Sequence, residues 1–184
     1  MRARFVGLAP LILAVPAFAG GFTVTSPAFS DGGTVPSAQV FDQDGCTGAN
    51  HSPALAWSGA PAGTKSFAVT MFDPDAPGGR GWWHWALFDI PPSVHSLPAG
   101  VGGEGAALLP PGAKEGRSDF GPAGYCGPCP PAGALPHRYE ITVYSVKVAR
   151  LPLDAGAPDA RVGSVLRFNT LATAEITGRY GRPQ

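Results

Sequence analysis

Residues Phe67 to Pro92 read FAVTMFDPDAPGGRGWWHWALFDIPP, and the division of this stretch decides the fold. Two runs rich in aromatic and apolar residues, Ser66 to Phe72 and Trp83 to Ile90, flank a Pro/Gly loop. They predict two strands that fold back on each other. Asp73 and Asp75 then leave the first strand where His84 enters the second, so that two carboxylates and an imidazole converge although the chain separates them. His84 shares side-chain parity with Ala86, Phe88 and Ile90, which points its ring towards an apolar interior.

Outward from this hairpin, Phe22 to Thr25, Ala38 to Phe41 and Ala54 to Trp57 are further short strand candidates. Cys46 to Pro53 is a loop by composition, and His51 within it reads as a surface or hydrogen-bonded structural residue rather than a ligand. On the other side, Pro98 to Gly124 is rich in Gly, Ala and Pro and reads as a long surface excursion. Tyr125 to Gly133 runs YCGPCPPAG and leads to His137, which opens the strand Tyr139 to Val146 and shares parity with Tyr139, Ile141 and Val143. Val162, Val165, Leu166, Asn169 and Ile176 recur at near-helical spacing, which predicts a C-terminal helix over Pro158 to Thr177. Thr170, Thr173 and Thr177 oppose that reading.

The composition fits one loop-rich β domain. The chain has 184 residues, 44% hydrophobic and 14% charged, with 26 Gly and 21 Pro. Its formal net charge is zero, so no basic surplus exists to neutralise a nucleic-acid backbone. Arg2 and Arg4 precede the apolar run Phe5 to Val15, and Ala17-Phe18-Ala19 supplies small residues at a cleavage point. Residues 1–19 therefore read as a secretory signal peptide and 20–184 as the mature domain, periplasmic or secreted. A membrane anchor fits less well, because the apolar run is short of the roughly twenty residues that span a bilayer and prolines interrupt it.

In combination and order, DPDAP at 73–77, WHW at 83–85, GPCPP at 127–131, HRY at 137–139 and the loop that starts at Cys46 resemble the phosphatidylethanolamine-binding protein family, in its bacterial Raf-kinase-inhibitor-like branch. The resemblance runs from Phe22 to Tyr180. It implies a mainly β fold with a large antiparallel sheet, a smaller second sheet, long loops and peripheral helices. It also implies a pocket at one end of the sheet for a small anion or phosphorylated ligand, such as a phospholipid head group. Carried over by motif position, Asp73, Asp75, His84 and His137 line that pocket, Cys129 falls where eukaryotic members have a glycine, and Tyr125, Gly127, Pro130 and Arg138 support it. Membrane contact is then through lipid head groups alone, and inhibition of a kinase or peptidase is the alternative role.

The chemistry is intelligible from the residues themselves. Carboxylates beside imidazoles favour the imidazolium, which donates hydrogen bonds to an anion, and backbone N–H groups of the Gly127 to Gly133 loop add donors. No cofactor is implied. A divalent metal is a weaker reading, since no ligand pair has the spacing of a dedicated site. A phosphate-ester hydrolase is weaker too, because no nucleophile motif occurs. Cys126-Gly127-Pro128-Cys129 resembles a thiol-oxidoreductase motif, but Pro130 and Pro131 oppose the helix such chemistry needs.

The 3 cysteines allow at most one internal disulfide in an exported protein. Pro128 disfavours the short Cys126–Cys129 loop. In the resembling family the GPCPP segment recurs beside the loop that starts at Cys46. The expected bridge is therefore Cys46–Cys129, with Cys46–Cys126 the alternative.

Overall fold

The computed structural model describes residues 21–103 and 105–184. The leader expected at 1–19 lies outside the described residues. In chain order the elements are β1 (Thr23–Thr25), β2 (Leu55–Ser58), β3 (Ser66–Asp73), β4 (Trp82–Ile90), β5 (Ser96–Leu97), β6 (Lys114–Glu115), β7 (His137–Val146), α1 (Asp159–Asn169) and β8 (Thr170–Tyr180). A small sheet has the order β1-β2-β5 and a larger one the order β6-β4-β3-β7-β8, with every strand pair antiparallel. Among the described residues, no helix is long and apolar enough to cross a membrane.

β3 is the middle strand of five and is covered on both faces, so its sequence is a continuous apolar run rather than an alternation. β7 alternates buried and half-buried residues, with Tyr139, Ile141 and Val143 inward. The main core lies between the two sheets, where Leu55, Trp57, Phe67, Met71, Trp85, Leu87 and Ile141 pack together. The opposite face of the large sheet is covered by α1, whose Val162 and Leu166 meet Ala68, Ala86 and Phe88. Gly163 allows that approach. A Cβ there would lie 2.5 Å from the Trp83 ring.

Three expectations are corrected. The helix stops at Asn169, and Thr170–Tyr180 is strand β8. Its threonines and Ile176 suit a pleated surface, and the inward Ala174, Ile176 and Gly178 follow a period of two. Ala38 to Phe41 is no strand: Ser37–Gln39 form a 3-10 turn, and Val40 and Phe41 are buried against Cys46 and Cys126. The excursion from 98 to 124 is only partly superficial, because β6 within it pairs with β4 as the edge strand.

Cys46 and Cys129 are joined by a disulfide across 83 positions, and Cys126 is a buried free thiol. The bridge ties the loop before β2 to the one before β7.

Candidate ligand-binding site

The site lies where β3 ends and β4 and β7 begin. Asp73, the last residue of β3, is opposite Trp82 on β4. His137, the first residue of β7, donates from Nδ1 to Asp73 Oδ2 at 2.7 Å. Asp73 Oδ1 accepts the N–H of Asp75 at 2.8 Å, a local bond that aspartate side chains form readily in turns. Both partners are buried, Asp73 at 3% exposure and His137 at 7%. Each carboxylate oxygen therefore has a donor, which is what makes burying it tolerable.

His84 reaches the same place by a different device. Met71 is opposite Trp85 and Phe72 is opposite Trp83, so His84 is the extra residue of a β-bulge. The bulge changes the side-chain alternation. Instead of facing α1 with Ala86 and Phe88, the His84 ring lies edge-on to Tyr139, 5.3 Å between centroids, and to Phe120 at 5.4 Å. Its burial follows the expectation, but the parity argument behind it does not survive the bulge.

His84 Nδ1 lies 2.7 Å from the Cys126 carbonyl and 3.2 Å from that of Gly127. Carbonyls only accept, so Nδ1 carries the hydrogen and Nε2 is left with its lone pair when the ring is neutral. Burial pushes the imidazole's pKa below its usual value, outweighing the Cys126 carbonyl and the nearby Asp73 charge, which pull it up. This corrects the expected standing imidazolium: desolvation dominates.

These residues border a cavity of about 340 Å³. Its wall includes Asp73, Trp82, His84, Phe120, Cys129, Pro130, His137, Tyr139 and Arg182, with Asp44 also on the lining. The Tyr139 hydroxyl and the Trp82 indole Nε1–H are buried and have no partner among the described residues. Burial pushes the Tyr139 pKa up, and Asp73 adds to the shift, so the hydroxyl keeps its proton. Two unused donors thus border a cavity beside two imidazoles.

Of the residues expected to bind ligand, Asp73, His84, Cys129 and His137 line the cavity and Asp75 does not. Asp75 turns outward to Arg138, with Nη2–Oδ1 at 2.8 Å, Nε–Oδ2 at 2.9 Å and the Arg138 N–H on Oδ2 at 2.9 Å. The guanidinium holds the Asp75 carboxyl at about 2. This pair clamps the loop after β3 to the start of β7, so Asp75 and Arg138 fix the frame around Asp73 and His137. Pro130 lies on the wall, while Tyr125 and Gly127 do not. The Tyr125 hydroxyl donates to the Gln39 carbonyl at 2.8 Å. The Gly127 N–H donates to Asn50 Oδ1 at 2.8 Å, and the Cys126 N–H to the His84 carbonyl at 3.0 Å. Gly133 is likewise engaged, donating to the Arg182 carbonyl at 3.0 Å. Within the Gly127 to Gly133 loop, the Gly127 and Gly133 N–H groups are therefore already engaged. Gly127 is needed for space: a Cβ there would collide with the Gln39 carbonyl.

Sequence reasoning missed Trp82, Phe120, Asn50 and Arg182. Tyr139, the last residue of the HRY motif, also lies on the wall. Arg182 was hidden by the misread C-terminus. Once β8 runs to Tyr180 opposite His137, the following residues must arrive at the cavity. His51 is exposed and lies outside this cavity.

A family model described as phosphatidylethanolamine-binding protein matches residues 25–181. The UPF0098 protein YbcL of Escherichia coli strain K12 is 46% identical over 180 residues, 98% of each chain. The crystal structure of E. coli YbcL, titled a new member of the mammalian PEBP family, superimposes with a TM-score of 0.85 at 48% identity, covering 88% of this chain and 99% of that one. A putative phosphatidylethanolamine-binding protein homolog, CT736 from Chlamydia trachomatis, gives a TM-score of 0.73 at 31% identity, covering 88% and 98%.

Proposed function

The chain belongs to the phosphatidylethanolamine-binding protein family, and we propose that it is an exported binding protein for a small phosphate-bearing anion, free or as a lipid head group. The observation that carries this reading is the cavity wall itself. His84 and His137 stand beside the buried, unpartnered Tyr139 hydroxyl and Trp82 N–H around one cavity. An oxyanion brings several acceptors and would satisfy donors that burial otherwise leaves costly.

The neutral His84 adds a proton requirement. Its Nε2 meets an anion either by taking up a proton or by accepting the hydroxyl of a protonated phosphate. Both routes tighten binding as pH falls towards and below neutrality. Asp73 orients His137 through the 2.7 Å bond, so its role is to hold the imidazole rather than to touch the anion.

Binding is favoured over turnover by what the wall offers chemically. Its one cysteine, Cys129, is held in the disulfide, and the Tyr139 hydroxyl, its pKa pushed up, is a poor nucleophile. Export is supported by the leader pattern at 1–19 and by the Cys46–Cys129 bridge, a bond that persists in oxidising compartments.

Titration calorimetry of inorganic phosphate into wild type and His84→Ala tests the reading. The variant is expected to bind at least about tenfold more weakly, equivalent to about 1.4 kcal/mol. Wild-type affinity in a folded His84→Ala protein would place the ligand elsewhere.

A further inference from the structure

We propose that Arg182 is the charge that admits a phosphate-type oxyanion to the cavity, an inference that rests on the binding reading above. Apart from Tyr139, whose hydroxyl keeps its proton, the charged or titratable side chains on the wall are Asp44, Asp73, His84, His137 and Arg182. Burial pushes the His84 imidazole towards its neutral form. Asp44 and Asp73 are carboxylates, and His137 offsets at most one of them. Without Arg182 the wall is therefore net negative in either state of His137 and repels the ligand that its donors are arranged to receive.

Arg182 is placed to reverse this. Its Nε donates to the Pro130 carbonyl at 2.7 Å and its Nη1 to the Gly45 carbonyl at 2.8 Å. Those acceptors flank the disulfide, Gly45 preceding Cys46 and Pro130 following Cys129. The guanidinium is thus tethered on both sides before any ligand arrives. It forms no ion pair among the described residues, and Nη2 makes no hydrogen bond there. A guanidinium has five N–H donors in a planar fork that matches phosphate oxygens, and two of them hold the loops. The remaining N–H groups and the undiminished charge serve the cavity. The same residue therefore links recognition to the disulfide-bridged loops that form the wall.

The test titrates the purified, oxidised protein with inorganic phosphate and, separately, with phosphoethanolamine, for wild type, R182Q, R182K and His84→Ala. R182Q is expected to lose at least about tenfold in affinity for both probes, as for a lost charge-assisted bond. R182K, which keeps the charge and loses the fork, should lie between wild type and R182Q. Raising the salt should weaken wild type more than R182Q, a difference that a merely structural tether would not produce. Wild-type affinity in R182Q, equal losses in R182Q and R182K, or a loss confined to phosphoethanolamine would each overturn the assignment. If His84→Ala abolishes phosphate binding while R182Q keeps it, the Arg182 proposal falls and the cavity reading stands. If wild type binds neither probe, both fall.

Discussion

The two faces of the large sheet each bury an aspartate and satisfy it differently. On the cavity face, Asp73 is 3% exposed, and each carboxylate oxygen receives a hydrogen bond, from His137 and from the Asp75 N–H. On the helix face, Asp159 opens α1 and is fully buried, yet neither oxygen has a partner among the described residues. Burial, with Asp119 and Glu115 nearby, pushes the Asp159 carboxyl up to about 8. Burial alone thus says little about a carboxylate's part in a protein; the partners decide. Where donors are supplied, the carboxylate organises a second side chain. Where they are not, it takes a proton.

The contrast is sharpened first by removing Asp73. Asp73→Ala leaves His137 buried without its partner and should cost about 3 kcal/mol, the range for breaking a buried pair. Denaturant unfolding at pH 7 measures it, and a loss below about 1 kcal/mol would mean that the pair is not a structural unit. The second test concerns Asp159. Its folded pKa lies above the unfolded value, so the stability linked to its neutral form is complete below the usual carboxylate value of 3.8 and is lost as pH rises towards 8. His84, its pKa lowered from 6.5, acts in the opposite direction and only below that value. Between pH 6.5 and 8 wild type should therefore lose up to about 2 kcal/mol, at about 1.4 kcal/mol per unit. Asp159→Asn should flatten that slope. An unchanged slope would shift the cause to Glu115, whose carboxyl burial also pushes up, or to another group. The smallest effect is expected at Asp75. Its bond with Arg138 is partly exposed, the side chains being 33% and 42% accessible, so Asp75→Asn should cost about 1 kcal/mol or less. A larger loss would show the clamp to be part of the buried unit.

The central hairpin was legible because its period-two and apolar runs are local, and DPDAP, WHW and HRY carry their chemistry in short strings. The Cys46–Cys129 pairing followed from the family resemblance. What escaped was set by long-range pairing. The β-bulge at His84 depends on where β4 meets β3 and has no signature in its own residues. The segment after Asn169 keeps enough apolar residues to imitate a helix, and only its threonines point to the β8 ladder with β7. That misreading hid Arg182, since a helix to Thr177 gives no reason for the tail to return to the cavity. Asp73 ends β3 while Asp75 lies in the turn beyond it, so their closeness in sequence does not put them on one face. One went to a histidine and the other to an arginine.

The central claim, that an anion is received by a neutral His84 beside a His137 held by Asp73, is tested most directly by nitrogen NMR of the imidazole rings at pH 7. Sulfate is a suitable probe because it does not titrate in this range and leaves the protein to supply any proton. In the free protein the His84 signals should be those of a neutral ring with hydrogen on Nδ1. Saturating sulfate should convert them to the imidazolium pattern and also shift His137. A His84 ring that stays neutral and unshifted while sulfate binds would contradict the account.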